Sequence, residues 1–347
     1  MRNREKIGVD GDFYTSPDIS SLYGRVLADQ MEEMWVLSGC PSRWTLVEMG
    51  AGKGILARDI LLHCAQKDTG FFQGLEYLII EKSPSMVKKQ KALFACPGFP
   101  GDRVRWLAGL EDLAEESVTG CIFSNELLDS FPVHRVIRTS GKYREIYLSC
   151  ENGELREIYD YPSTSDLEEY LNTLQMEMPE GKVFEVNLAM FQWLKEIERI
   201  IKRGFLLTID YGDKADILFS ESRPEGSIRS YRKHQLVDNL YKCPGDQDIT
   251  AHVNFSDLLR WGEAIGLTTV GYTSQMYFLL NLGILDYLNR PKETAGFNPV
   301  LLKETLAVKK LVMSEGMGTV FKVAVQSKGF NQKPVLTGFQ GDFGCRG

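Results

Sequence analysis

The chain of 347 residues predicts an α/β protein, with a mostly parallel sheet covered by helices on both faces and one inserted α+β region. Two observations carry this. Short apolar runs of strand length alternate with helix-period segments through the first third of the chain, and a glycine-rich turn joins the first such run to the first helix. Trp44–Met49 reads as a buried strand, and a helix follows from Ile55 to Gln66. Glu76–Glu81 is the second strand, ending at Ser83-Pro84, where a proline in the first turn starts a helix through Phe94. Val104–Leu107 and Val118–Phe123 are the third and fourth strands.

After Pro132 the pattern changes. Val133–Ile137, Tyr143–Ser149 and Leu155–Tyr159 read as short antiparallel strands, with turn signals at Ser140-Gly141 and Asn152-Gly153. Asp166–Asn172 and Leu188–Lys202 read as helices, and the sheet resumes at Gly204–Asp210. Thr268–Thr273 and Thr319–Gln326 supply two more strands, with helical stretches at Phe278–Leu288 and Pro299–Met313 between them. The expected organisation is one domain over 1–327. Within it, 1–40 is an N-terminal arm or lid and 133–203 an insertion. A Gly-rich polar tail, 328–347, is expected to be loosely held.

Composition narrows the function. The 43% hydrophobic and 25% charged content is that of a globular protein with a sizeable core. A net charge of -7 argues against nucleic acid or an anionic membrane as partner. Lys88-Lys89-Gln90-Lys91 reads as a solvated helix face. No apolar run approaches the ~20 residues of a membrane span, and Met1–Lys6 is polar rather than a signal-peptide core. Seven scattered cysteines without a CxxC pair point to a reducing compartment, and four unpaired histidines give no reason to expect a metal.

The sharpest local signal is Glu48-Met49-Gly50-Ala51-Gly52-Lys53-Gly54, between a strand and a helix. Glycines there let a ligand approach the backbone, and the helix N-terminus offers free N–H groups. The dinucleotide fingerprint would need glycine where Ile55 stands, and a phosphate-binding P-loop would need Ser or Thr after Lys53 instead of Gly54. A dehydrogenase is therefore disfavoured. The pattern resembles the first motif of Rossmann-like class I methyltransferases. That resemblance implies S-adenosyl-L-methionine as cofactor, with the loop around its methionine part and Glu81, closing the second strand, on the ribose hydroxyls. Leu110 and Glu111 stand where that family contacts adenine. The plainer reading is a glycine turn with Glu81 as a surface cap; strand, loop, helix and second-strand acid in register favour the cofactor.

Longer motifs are more specific. Gly11–Ser20, Ser124–Val133, Arg229–His234 and Asp246–Phe255 resemble signatures of the MidA family, over roughly Gly11 to Ser327. That family includes the mitochondrial arginine methyltransferase that assists complex I assembly. It carries a further stretch before its first motif, so a shortened start is expected here. Position 130 is Ser where the family has Ala.

The resemblance implies methylation of arginine on a partner protein, such as a respiratory complex I subunit. A guanidinium becomes a better nucleophile when carboxylates hold its far side. Glu126 and Asp129, three apart past the fourth strand, share a face if that turn is helical, and they are the first choice for those carboxylates. The plainer reading makes them acids at a helix N-terminus, capped by Asn125, which can equally meet the cofactor. Asp210, at a strand end on the same rim, is a second substrate acid or a turn former. His252 is a proton acceptor or hydrogen-bond partner of the substrate, or a structural histidine. Tyr14, Thr15 and Ser16 are expected as a lid strand over the cofactor. The alternatives are a small-molecule methyltransferase on the same fold, or an assembly factor that binds the cofactor without turnover. The apolar stretch Tyr277–Asn289 reads as a core helix or a homodimer surface. Bacterial cytoplasm, or the mitochondrial matrix, is the expected compartment.

Overall fold

Trp44–Met49 is buried at every position and forms β1, the middle of the sheet. The computed structural model describes residues 15–174, 176–232, 235–237, 239–241, 245–288 and 299–341. From β1 the chain runs outward through β2 (Leu75–Ile80) and β3 (Val104–Leu107), then returns to the other side of β1 as β4 (Val118–Asn125). The inserted strands follow: β5 (His134–Thr139), β6 (Lys142–Glu151), β7 (Glu154–Asp160) and β8 (Val183–Val186). The main sheet resumes with β9 (Ile201–Asp213), which lies parallel to β4. Three short strands, β10 (Arg229–Arg232), β11 (Gln235–Leu236) and β12 (Asp248–Thr250), form a separate sheet, and β13 (Val253–Asn254) pairs with β9. Last come β14 (Thr268–Ser274) and β15 (Phe321–Lys328), both antiparallel additions. The main order is β14-β15-β9-β4-β1-β2-β3. The direction of winding reverses between β1 and β4, and in open α/β sheets ligands bind outside the strand ends at that reversal.

One face is covered by α2 (Ser21–Leu37) and α3 (Ile55–Lys67), with α10 (Gln275–Asn281) and α11 (Pro299–Val312) beside them. The other is covered by α6 (Ser165–Asn172), α7 (Leu188–Ile200) and α9 (Phe255–Ala264). Each helix buries an apolar stripe; α7 turns Met190, Trp193, Leu194 and Ile197 inward. The helix expected after Ser83-Pro84 runs Pro84–Phe94, with the Ser83 hydroxyl facing the Met86 amide.

Four expectations are corrected. Residues 21–37 are not an arm: Ser20 caps a helix whose Tyr23, Leu27, Met31 and Met34 are core residues. The insertion proper ends at β8, because α7 packs on the main sheet as the helix leading into β9. The tail is held through residue 341: Leu336 is buried, the Gly338 amide donates to Gln30 Oε1 at 3.1 Å, and Phe339 packs on Phe278. Residues 342–347 lie outside the described residues. The helix expected over 278–288 ends at Asn281; Phe278, Leu279 and Ile284 are core residues, while Leu280 and Leu285 are exposed, and Asn289 lies outside the described residues.

Gly120 and Gly204 face each other in register across β4 and β9. A methyl on Gly120 would come 1.8 Å from the Thr45 carbonyl oxygen, a backbone atom of β1 with no room to retreat. Gly120→Ala is therefore expected to cost about 1–3 kcal/mol or more of unfolding free energy, read as a lower urea midpoint; an unchanged midpoint would show that the three strands separate freely.

Candidate active site

The turn leaving β1 is built on backbone geometry that L side chains rarely adopt. Gly50, Gly52 and Gly54 have φ of 71°, 52° and 82°. The Gly54 amide donates to the Ala51 carbonyl at 2.8 Å, and α3 begins immediately after, its first amides aimed back into the turn. A Cβ on Gly50 would sit 3.0 Å from Leu127 Cδ1, and one on Gly54 would sit 3.1 Å from Phe94 Cζ. Under the turn, buried Glu48 accepts a hydrogen bond from the Tyr77 hydroxyl at 2.7 Å, and burial pushes its pKa up to about 7.

This turn walls a cavity of about 80 Å³, whose lining includes Thr15, Asp18, Glu48, Lys53, Asn125 and Glu126. Thr15 and Asp18 reach it from α1 (Ser16–Ile19), so the expected lid strand is corrected to a helical turn. The reason is local: Pro17 favours a first helical turn, and Asp18 Oδ2 accepts from the Thr15 hydroxyl at 2.9 Å. Ser16 is buried and turns away, donating to Gln275 Oε1 at 3.2 Å. Tyr14 lies outside the described residues.

Glu81 stands outside that lining but is tied to it. Its Oε1 accepts from the Ser83 amide at 2.8 Å, and Gln90 Nε2 lies 3.4 Å from its Oε2. The same Gln90 nitrogen donates to the Gly52 carbonyl at 2.8 Å, and Gln90 Oε1 accepts from Trp106 Nε1 at 2.8 Å. Gln90 is thus fully buried, while Lys88, Lys89 and Lys91 around it are exposed, so the solvated reading holds for the lysines and is corrected for Gln90 alone. Next along the strand tips, Leu110 is buried and Glu111 exposed in a short 3-10 turn, which Asp112 closes by accepting from the Ala108 amide at 2.8 Å. A bare-backbone cradle, free helix amides and a carboxylate at the tip of β2 fit an amino-acid-tailed nucleoside.

The acids cluster on the other side, at the ends of β4 and β9. Glu126 adopts φ 57°, its amide donating to the Ile209 carbonyl at 2.9 Å, while Asn125 Nδ2 donates to its Oε1 at 3.1 Å. The Tyr23 hydroxyl donates to Asn125 Oδ1 at 2.7 Å. Burial first, then the Asp129 charge, raises the Glu126 pKa to about 8. The condition for Glu126 and Asp129 to share a helical face is not met: after β4 the helical geometry is confined to a 3-10 turn at Leu128–Ser130, which leaves Glu126 out. Its amides are held by Asp210, whose Oδ2 accepts from Leu127, Leu128 and Asp129 at 3.1, 2.9 and 3.3 Å. Asp210 is wholly buried, so it shapes the turn and presents nothing at the surface.

Asp129 is 5% exposed. Its Oδ2 accepts from the Tyr211 hydroxyl, while its buried Oδ1 has no hydrogen-bond partner among the described residues. Burial lifts its pKa to about 6 against the pull of that hydroxyl. The Tyr211 ring packs against His252 at 5.8 Å. His252 Nδ1 faces Arg223 NH1 at 2.8 Å, which assigns the ring proton to Nε2, and burial followed by the Arg223 charge lowers its pKa to about 4. Tyr23, Gln90, Tyr211 and Arg223 were not found from sequence. Tyr211 adjoins Asp210 in the strand-end motif and could have been; the others carry no local signal.

The reversal point, the glycine cradle and the strand-tip acid together define an S-adenosylmethionine-dependent methyltransferase. The chain belongs to the family described as "Putative S-adenosyl-L-methionine-dependent methyltransferase", whose profile matches residues 26–273. Among curated relatives, the protein arginine methyltransferase NDUFAF7 homolog of Drosophila melanogaster is 28% identical over 76% of this chain and 63% of its own. The Danio rerio protein arginine methyltransferase NDUFAF7 is 27% identical over 81% and 68%. The chain thus spans about two thirds of their length. A Burkholderia thailandensis crystal structure bound to S-adenosyl-homocysteine is 29% identical, with TM-score 0.85 over 99% of this chain and 86% of that one. A native structure from the same organism is 30% identical, with TM-score 0.83 over 97% and 86%.

Glu81→Ala is expected to weaken S-adenosylhomocysteine binding about ten- to hundredfold, the value of lost charge-assisted hydrogen bonds. Gln90→Leu should weaken it less, by freeing the Gly52 loop. Calorimetric titration reads both, and an unchanged affinity for the Glu81 variant removes it from the nucleoside site.

Proposed function

We propose that the chain methylates an arginine side chain of a partner protein, with Glu126 and Asp129 holding the guanidinium. The observation that carries this is the pair of raised-pKa carboxyl groups after β4, Glu126 lining the cradle's cavity and Asp129 with a buried oxygen that has no hydrogen-bond partner among the described residues. Such groups are costly to bury alone, and a cation placed between them recovers that cost. The printed names of the relatives, protein arginine methyltransferases, support the same substrate class.

When bound, S-adenosylmethionine supplies a methyl group already activated on a sulfonium. Thr15, Gly50, Gly52 and Gly54 would hold its amino-acid end, Glu81 its ribose, and Leu110 with Glu111 its base. Glu48 supports the cradle from below. Asn125 orients the Glu126 carboxylate, and Ser16 anchors α1 beside it. Glu126 lines the same cavity as Gly50 and Gly52, so a cation it binds lies next to the donor. The acceptor nitrogen would take the methyl as the sulfur–methyl bond breaks, the electron pair staying on sulfur as a neutral thioether; the nitrogen then loses a proton, and the Glu126 carboxylate is the base placed to take it. Asp129 keeps the opposite charge, steadied by Tyr211. Asp210 is a positioning residue. His252, neutral and with Nδ1 engaged, serves as an Nε2–H donor toward the substrate backbone rather than a proton acceptor.

No helix among the described residues is long and apolar enough to cross a membrane. A respiratory complex I subunit, met in bacterial cytoplasm or the mitochondrial matrix, is the partner this reading names. Tritiated methyl transfer to arginine in that subunit tests it; label on another residue type overturns it.

Both carboxyls must be ionised to hold a cation, so kcat/KM is expected to rise with pH through about 6 and again toward about 8. Glu126→Gln should remove the upper limb and lower kcat at least about hundredfold; a retained upper limb assigns it elsewhere. Stability follows the opposite sign. The native site keeps its Glu126 proton up to about 8, while the unfolded chain releases it near about 4.3, so stability falls as pH rises between these values. Glu126→Gln should flatten that fall in urea midpoints taken across the range.

A further inference from the structure

A second cleft, of about 880 Å³, opens between the inserted sheet and residues 222–230, 237 and 239–241. It reaches the upper end of the 300–1,000 Å³ typical of ligand sites. One wall carries Arg135 on β5 with Glu157 and Tyr159 on β7, and the opposite wall carries Arg223, Glu225, Arg229 and Tyr241, two cations to one acid. Toward the inserted sheet the charges are matched: Arg135 pairs with Glu157 and also meets the Tyr241 hydroxyl at 2.6 Å. The other wall is different. Arg223 spends one nitrogen on His252 Nδ1, and Arg229 donates to its neighbouring Ile228 carbonyl at 2.7 Å. Among the described residues, no carboxylate lies within ion-pair distance of either guanidinium.

This cationic wall stands close to the acids. Arg223 contacts His252, His252 packs on Tyr211, and the Tyr211 hydroxyl bonds Asp129. Two aromatic rings therefore separate a pocket suited to a cation from a wall suited to an anion. The wall opposes the chain's net charge of -7, so it is a local feature and not part of a general basic surface.

We infer that the cleft seats an extended substrate segment and that Arg223 and Arg229 bind the carboxylate of an Asp or Glu flanking the methyl-accepting arginine. The inference rests on the protein-substrate reading above and adds a sequence requirement to it. A guanidinium fork matches a carboxylate in two parallel hydrogen bonds. The same wall repels a segment whose flanks are basic, so it selects as well as binds.

The test uses the full chain saturated with S-adenosylhomocysteine and fluorescent dodecapeptides, each with one arginine in a Gly-Ser background. Glutamate is walked from three residues before the arginine to three after, each peptide having a glutamine twin. Anisotropy is expected to show one offset at which the glutamate peptide binds at least about tenfold tighter than its twin. Arg229→Gln and Arg223→Gln should abolish that difference. Arg229 is exposed, so its variant tests recognition with little risk to folding, and Arg229→Glu should transfer the preference to a lysine peptide. Equal affinities at every offset, no binding of any peptide, or discrimination that survives both glutamine variants would overturn the inference. Tritiated methyl transfer to the same peptides separates the two readings: discrimination without transfer keeps the cleft assignment and removes arginine as acceptor.

Discussion

A single buried carboxylate organises the reactive rim. Asp210, at the end of β9, has no solvent contact, and one of its oxygens collects the amides of Leu127, Leu128 and Asp129 while the other takes the amide of Tyr211. Those amides would otherwise be unsatisfied donors in an apolar setting. Collecting them on one acceptor bends the chain sharply after β4. Glu126 is left in a left-handed conformation with its amide on the Ile209 carbonyl, and Leu127 is pressed against Gly50. The turn thus joins the cradle side of the site to the acid side.

The same arrangement concentrates charge. Burial comes first in raising the pKa values of Glu126, Asp129 and Asp210; the Asp129 charge adds to it at Glu126 and Asp210, and the Asp248 charge at Asp129. In Asp210 four backbone amides pull against that rise; in Asp129 the Tyr211 hydroxyl and nearby amides do, and one oxygen has no hydrogen-bond partner among the described residues. A site that holds its acids half-neutralised is primed for a cation. Across the Tyr211 and His252 rings, Arg223 and Arg229 supply the opposite sign, and burial together with their charge keeps His252 neutral. The insertion after β4 matters here because it supplies the far wall of the cleft those arginines face.

Much of the scaffold was legible. β1 to β4 and the turn between β1 and α3 lie within a residue or two of where apolar periodicity and glycine spacing put them, because a strand buried on both faces leaves an uninterrupted apolar run. The glycine spacing also set the turn apart from two phosphate-binding loops, through Ile55 for the dinucleotide fingerprint and Gly54 for the P-loop. Pro17 and Asp18 mark a helical turn over 16–19, where the sequence reading places a lid strand at Tyr14, Thr15 and Ser16. Residues 21–37 carried a helical stripe that was missed beside the stronger signals that follow. Gln90 was taken for a solvated residue because its neighbours are lysines, whereas its own side chain points the other way, under the Gly52 carbonyl.

By itself, the order of residues determined the strand-turn-helix that makes the cradle, the acid closing the second strand, and the longer motifs that point to one family. These are local: each depends on residues a few positions apart, whose backbone preferences and side-chain period act before any tertiary contact forms. Only the folded chain decided that Asp210 caps a turn 81 residues away, that an Asp129 oxygen has no hydrogen-bond partner among the described residues, that His252 is neutral, and that two arginines stand opposite the inserted sheet. Those outcomes depend on burial and on charges brought together from distant segments, and neither burial nor distance is written in the spacing of residues along the chain.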